Sequence, residues 1–141
     1  QQELKQLHQE HKSQSRQPIL NKGTLLSTGS HTWTINCHKI DRHTEIGVVS
    51  PSHVGELSKM PNKRYSDGSI ATTAWGLGSP GFLYPSQTES TMRFRDGDVL
   101  TFSLNCELKT LAITVNETRT VNITKVIPPV HIAFSGTLST N

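Results

Sequence analysis

Chemistry in this chain would have to come from its acids, its histidines or its cysteines, and the spacing of each is informative. Asp96-Gly97-Asp98 sets two carboxylates two residues apart, which is how a paired-acid site or a calcium loop begins. A glycine between aspartates is also ordinary turn chemistry, because glycine accepts positive φ and aspartate bonds its own backbone; we read the pair as structural. Seven histidines are many, and His31, His38 and His43 lie close together. On an extended strand, however, His31 and His38 have opposite parity and face opposite sides of the sheet, so no metal site is expected. Cys37 and Cys106 lack the nearby Cys/His ligand spacing of a zinc site. Each falls on the apolar side of an expected strand, which reads as buried free thiols in a reducing compartment, with a cross-sheet disulfide as the alternative.

Gly76-x-Gly78-x-x-Gly81 spells a dinucleotide-binding string, but Phe82-Leu83-Tyr84-Pro85 follows it where a helix would be needed to cradle phosphate. No G-x-S-x-G nucleophile elbow is present. The expectation is a non-enzymatic chain with no cofactor. Asn116-Glu117-Thr118 and Asn122-Ile123-Thr124 are glycosylation sequons that matter only if the chain is secreted.

Binding residues are better sought in loops. Met60, Lys63, Arg64 and Tyr65 cluster in the long irregular stretch from 51 to 68: a pliable thioether, two cations and an aromatic, the mixture enriched in protein-recognition patches. Trp33 and Trp75 fall on apolar strand faces and are assigned to the core.

The elements that would position these residues follow from alternation. Leu100, Phe102, Leu104 and Cys106 alternate with Thr101, Ser103 and Asn105. After a polar break, Leu111, Ile113 and Val115 alternate with Thr110, Ala112 and Thr114, so the two runs read as an antiparallel hairpin with one buried face. A lone hairpin is barely stable in water, so a second sheet must cover it. Further strands are expected at Leu25-Leu26, from His31 to Lys39, from Thr44 to Ser50, from Ser69 to Trp75, at Phe82 to Tyr84, from Arg119 to Ile123 and from Val130 to Leu138. A turn is expected over Gly76 to Gly81. Many short strands with regular turns predict an all-β fold, a two-sheet antiparallel β-sandwich. Residues 1–17 differ: Leu4 and Leu7 sit at helical spacing in a Gln-, Lys- and Glu-rich setting, a short helical lead-in or the end of a coiled coil belonging to a longer parent protein. The sandwich is then expected over 18–141.

At 141 residues the chain is one domain, and 33% apolar content suffices for strands that each show one face to solvent. A net charge of +3 with scattered cations argues against nucleic acid as partner. No apolar run approaches the ~20 residues of a membrane span, so no membrane partner is expected.

The ordered motifs resemble those of a SPRY domain over roughly residues 24–138. Gly29-Ser30-His31-Thr32-Trp33-Thr34-Ile35 resembles the family's opening strand, Glu45-Ile46-Gly47-Val48-Val49 its "IGV" strand, and Ala74-Trp75-Gly76 its "SWG" strand end. The run from Asp96 to Asn116 resembles its long hairpin, with Glu117 at the hairpin glycine, and Ile127-Pro128-Pro129-Val130-His131-Ile132 stands where the family writes "LYPAVSL". The PRY extension is not recognisable before it.

The resemblance implies a concanavalin-like jelly roll and a non-catalytic, cytoplasmic module that binds a peptide or protein through its loops. It further implies the target-recognition part of a ubiquitin ligase of the tripartite-motif kind, whose coiled coil would give a homodimer. By position it adds Phe134 and Ser135 to Met60, Lys63, Arg64 and Tyr65 as ligand-binding residues. A carbohydrate-binding jelly roll is the alternative, because lectins share the architecture. A hydrolase on this architecture would need two facing carboxylates, and none of the 11 acids pairs with another on a strand.

Overall fold

The computed structural model describes residues 23–53, 57, 62–64, 70–136 and 138–140; the expected lead-in at 1–17 lies outside them. The strands of the first half are β1 (Leu25–Leu26), β2 (Ser30–Ile40), β3 (Glu45–Val49), β4 (Asn62–Arg64), β5 (Ile70–Thr72), β6 (Ala74–Gly78) and β7 (Phe82–Tyr84). The second half adds β8 (Thr88–Glu89), β9 (Val99–Asn105), β10 (Thr110–Val115), β11 (Arg119–Ile123), β12 (Val130–Ser135) and β13 (Leu138–Thr140). One sheet runs β1-β12-β3-β6-β7-β8, a second β11-β10-β9-β2-β13, and β4 pairs with β5 in a small hairpin. In each of these sheets hydrogen-bonded neighbours are antiparallel. This is the two-sheet sandwich expected from alternation.

The core lies between the sheets. Trp33, Ile35 and Cys37 of β2 join Leu100, Phe102 and Leu104 of β9 and Leu111, Ile113 and Val115 of β10. Ile46 and Val48, Trp75 and Leu77, and Ile132 and Phe134 enter the same buried cluster from the other sheet. Trp33 pairs with Phe102 across the strands, and their rings lie parallel within 3° at a centroid separation of 5.3 Å.

The β3-β6-β12 region is covered on its outer side as well. Leu57, fully buried, packs with Val49, Ala74 and Ala133 on that outer face. The strand residues beneath are small for this reason: a Cβ on Gly76 would come within 2.9 Å of Leu57 Cδ2 and 2.5 Å of the Ile46 carbonyl oxygen. Leu57 N–H donates to Ser135 Oγ at 3.2 Å, and Ser135 Oγ donates to Glu45 Oε1 at 2.8 Å. Upstream, His53 is buried, with Nδ1 2.7 Å from Thr73 Oγ1.

Three expectations change. Gly76-Leu77-Gly78, expected as a turn, continues strand β6, and the turn begins at Ser79. The expected strand Ser69 to Trp75 breaks at Thr73, whose carbonyl accepts the Ser50 N–H at 2.8 Å. Val130 to Leu138 is two strands in different sheets, divided at Gly136, which has φ 90° and leaves no room for a Cβ beside the His43 carbonyl.

Both cysteines are free and buried. Burial, with Asp98 and Asp96 adding to it, pushes the Cys37 thiol from about 9 up to about 12, and burial with Glu107 raises Cys106. Thiol labelling is therefore expected to find no reactive group in the native chain and two after denaturation; two missing after denaturation would mean a disulfide. Between about pH 9 and about 12 the unfolded chain gives up the Cys37 proton while the folded one keeps it. The stability present below pH 9 then falls as pH climbs through that window, by roughly 1.4 kcal/mol per unit, readable as a falling urea midpoint. Separately, Ser135→Ala removes the acceptor of the buried Leu57 N–H and one donor to Glu45 Oε1. A loss of about 1–3 kcal/mol in denaturant titration is expected, and a loss near zero would mean that the tie contributes nothing.

Candidate functional site

The connection from β8 to β9 builds one wall of a cleft at an end of the sandwich. From Thr91 to Arg95 it belongs to no strand, yet its burial alternates as a strand's does: Met92 and Phe94 are buried in the core, while Thr91, Arg93 and Arg95 are exposed. Its backbone is held on both sides. Ser90 N–H donates to the Gly81 carbonyl at 2.9 Å and Phe94 N–H to the Ser79 carbonyl at 3.0 Å. From the other side Arg119 donates Nη1 to the Thr91 carbonyl at 2.8 Å and Nη2 to the Arg93 carbonyl at 3.5 Å.

The Asp96-Gly97-Asp98 turn follows and clamps to the end of β2. Asp96 Oδ1 accepts the Ile40 N–H at 2.9 Å, Gly97 N–H donates to the Cys37 carbonyl at 2.7 Å, and Asp98 Oδ2 accepts the Arg95 N–H at 2.9 Å. Asn116 donates Nδ2 to Asp98 Oδ1 at 2.9 Å and accepts the Val99 N–H at 2.8 Å. Both aspartates therefore serve the turn. Across the cleft, Asp41 Oδ1 accepts the His43 N–H at 2.8 Å and Thr44 Oγ1 at 3.4 Å.

Between these walls lies a cleft of about 870 Å³ whose lining includes Arg42, Phe82, Arg93, Arg95 and Arg119. Arg119 is committed to backbone carbonyls. Arg42, Arg93 and Arg95 are exposed, and among the described residues their guanidiniums carry no hydrogen bond or ion pair. Phe82 is 36% exposed. The cleft thus offers planar cationic donors and an aromatic edge to a ligand. Among the described residues no group of three or more His, Cys, Asp or Glu could hold a metal. His31 and His131 each donate to a nearby carbonyl, of Thr28 and Gly23 respectively, so those two rings are engaged separately.

The residues singled out in the sequence fall elsewhere. Lys63 and Arg64 lie on β4, in a hairpin rather than an irregular loop, and Met60 and Tyr65 lie outside the described residues. Phe134 and Ser135, placed beside a ligand by the resemblance, are fully buried: Phe134 enters the core and Ser135 ties Leu57 to Glu45. Neither has surface to offer a partner, because this sheet is covered on both sides. Arg42, Arg93 and Arg95 were not among the expected site residues, although Thr91-Met92-Arg93-Phe94-Arg95 shows the alternation that exposes two of them.

No family model and no curated protein matches the sequence. Among solved structures the chain is similar to the SPRY domain of human HERC1, with a TM-score of 0.58 at 21% identity over 84% of this chain and 75% of that one. Identity at that level speaks for the fold. The two-sheet order, the opening strand around Trp33 and the long β9–β10 hairpin agree with it, and the chain has the fold of a SPRY domain.

Proposed function

We propose that this chain is a non-catalytic protein-interaction module, acting in the cytoplasm as the target-recognition part of a larger ubiquitin-ligase-type protein. The observation that carries the interaction reading is the loop-built cleft, where three guanidiniums without an internal partner stand beside a half-open Phe82. Arginine and aromatic side chains dominate the energetics of protein interfaces, and a rigid sandwich holding them on loops is how such modules present them. Two free thiols support a reducing compartment. The ligase context draws its support from the helical seam at 1–17 and the resemblance of the motifs. The carbohydrate alternative gains little from this cleft, since Asp96, Asp98 and Asn116 are all spent on holding turns.

A second contact belongs to 51–68, with Tyr65 as its anchor and Met60, Lys63 and Arg64 beside it. It is supported by the β4–β5 hairpin, which carries Lys63 and Arg64 on a segment pinned at Leu57. Tyrosine buries a rigid ring at low entropic cost while its hydroxyl keeps a hydrogen bond.

An affinity pull-down from cytosol beside a glycan array tests the module: a retained protein and a silent array are expected, and the reverse pattern overturns the reading. With that partner in hand, Tyr65→Ala is expected to leave the melting temperature unchanged and weaken binding by ~2 kcal/mol, the scale of an interface hot spot. Unchanged affinity would remove Tyr65 from the contact, and a large drop in melting temperature would make it a core residue.

A further inference from the structure

In an extended segment, side chains two residues apart project from the same side at a repeat of ~6.8 Å. The alternating burial from Thr91 to Arg95 sets Arg93 and Arg95 in this relation, and the buried Met92 and Phe94, one on each side of Arg93, keep the segment from rolling over to hide either guanidinium. The Phe94 N–H donates to the Ser79 carbonyl, the Arg119 guanidinium to the Thr91 and Arg93 carbonyls, and the Arg95 N–H to the Asp98 carboxylate, which fixes the segment along its length. Arg42 faces the same cleft from the turn between β2 and β3.

The acids of the cleft do not use up these cations. Asp41, Asp96 and Asp98 each direct a carboxylate oxygen at a backbone N–H of a turn, whereas Glu89 of β8 lines the cleft from a strand. Each guanidinium has five N–H donors in a planar fork that matches a carboxylate.

We propose that the cleft binds an extended acidic peptide of another protein whose carboxylates recur at every second residue. Arg93 and Arg95 take successive carboxylates through bidentate pairs, because the repeat of the wall equals the repeat of an extended ligand. Arg42 closes on the ligand from the opposite wall, and Phe82 gives the intervening side chains an apolar contact. The proposal rests on the interaction-module reading and names the class of ligand for it.

The test uses the whole chain and fluorescein-labelled synthetic peptides of constant composition in which two aspartates alternate (Asp-Thr-Asp) or adjoin (Asp-Asp-Thr), with an Asn-Thr-Asn control and an oligothymidine strand. In fluorescence anisotropy the alternating peptide is expected to bind tightest, and its affinity to fall with added salt. The Arg93→Gln/Arg95→Gln chain is expected to lose roughly tenfold or more at an unchanged melting temperature. Arg42→Gln alone is expected to give a smaller loss. Equal affinity for adjoining and alternating aspartates, no affinity above the asparagine control, or tighter binding of oligothymidine would each overturn the inference. The partner from the pull-down separates the two proposals. If the doubly substituted chain retains it at full affinity, the cleft inference fails and the module stands. If the wild-type chain retains no protein yet binds the alternating peptide, the module reading fails and the cleft stands.

Discussion

Burial of the apolar faces of two sheets against one another is the interaction on which everything else in this molecule depends. The inner face of the β9–β10 hairpin is Leu100, Phe102, Leu104, Leu111, Ile113 and Val115, fully buried at every position. Each such side chain contributes about 1.5–3 kcal/mol by leaving water, and none could do so without the sheet that brings Ile46, Val48, Trp75, Leu77 and Phe134 to meet it. The stack of Trp33 on Phe102 shows how far area outweighs polarity here. Among the described residues Trp33 Nε1 is buried with no hydrogen-bond partner, a cost of about 1–3 kcal/mol. The ring is kept for the surface it covers. Core packing of this kind fixes the strands and leaves variation to the connections between them.

An end of the sandwich and an outer sheet face are completed with different residues. At one end, aspartates and an asparagine satisfy the backbone of tight turns, which is where short acceptor side chains are most effective. That use of the acids is what leaves Arg42, Arg93 and Arg95 without internal partners. On the outer side of the other sheet, glycine and alanine let Leu57 settle onto β3, β6 and β12, and Ser135 closes the arrangement by accepting its N–H. A polar end open to ligand and a second, smaller apolar layer thus come from opposite choices of side-chain size.

Alternation made much of this legible. It places β2, β9 and β10 because each shows one face to water, and the assignment of Trp33, Trp75 and both cysteines to the interior follows from the same parity. It fails where a strand is covered twice. Gly76-Leu77-Gly78 reads as a turn, and only the tertiary neighbours explain its glycines inside a strand: the Ile46 carbonyl and Leu57 crowd Gly76, and the Tyr84 ring lies against Gly78. The same second cover hides Ser135, whose outward parity would otherwise bring it to the surface. Glu117 is a different case. It stands where the resembling family has a hairpin glycine, and its φ of 60° shows that the left-handed geometry is retained without the residue that adopts it most cheaply. The cleft was half legible: the exposed parity of Arg93 and Arg95 is written in the sequence, but the absence of an internal partner is a tertiary fact.

Fold alone does not choose a ligand, since sandwiches of this architecture serve many purposes. What narrows the choice is preorganisation. A peptide that binds along the Thr91–Arg95 wall meets a backbone already fixed by Ser79, Gly81 and Arg119, so the protein loses little backbone freedom on association. The ordering cost falls on the arginine side chains and on the peptide, which is repaid only if each fork closes on an acceptor. An acidic residue out of register with the wall repays one fork and leaves the other in water. The spacing of charge, rather than its amount, is therefore what this wall is built to read.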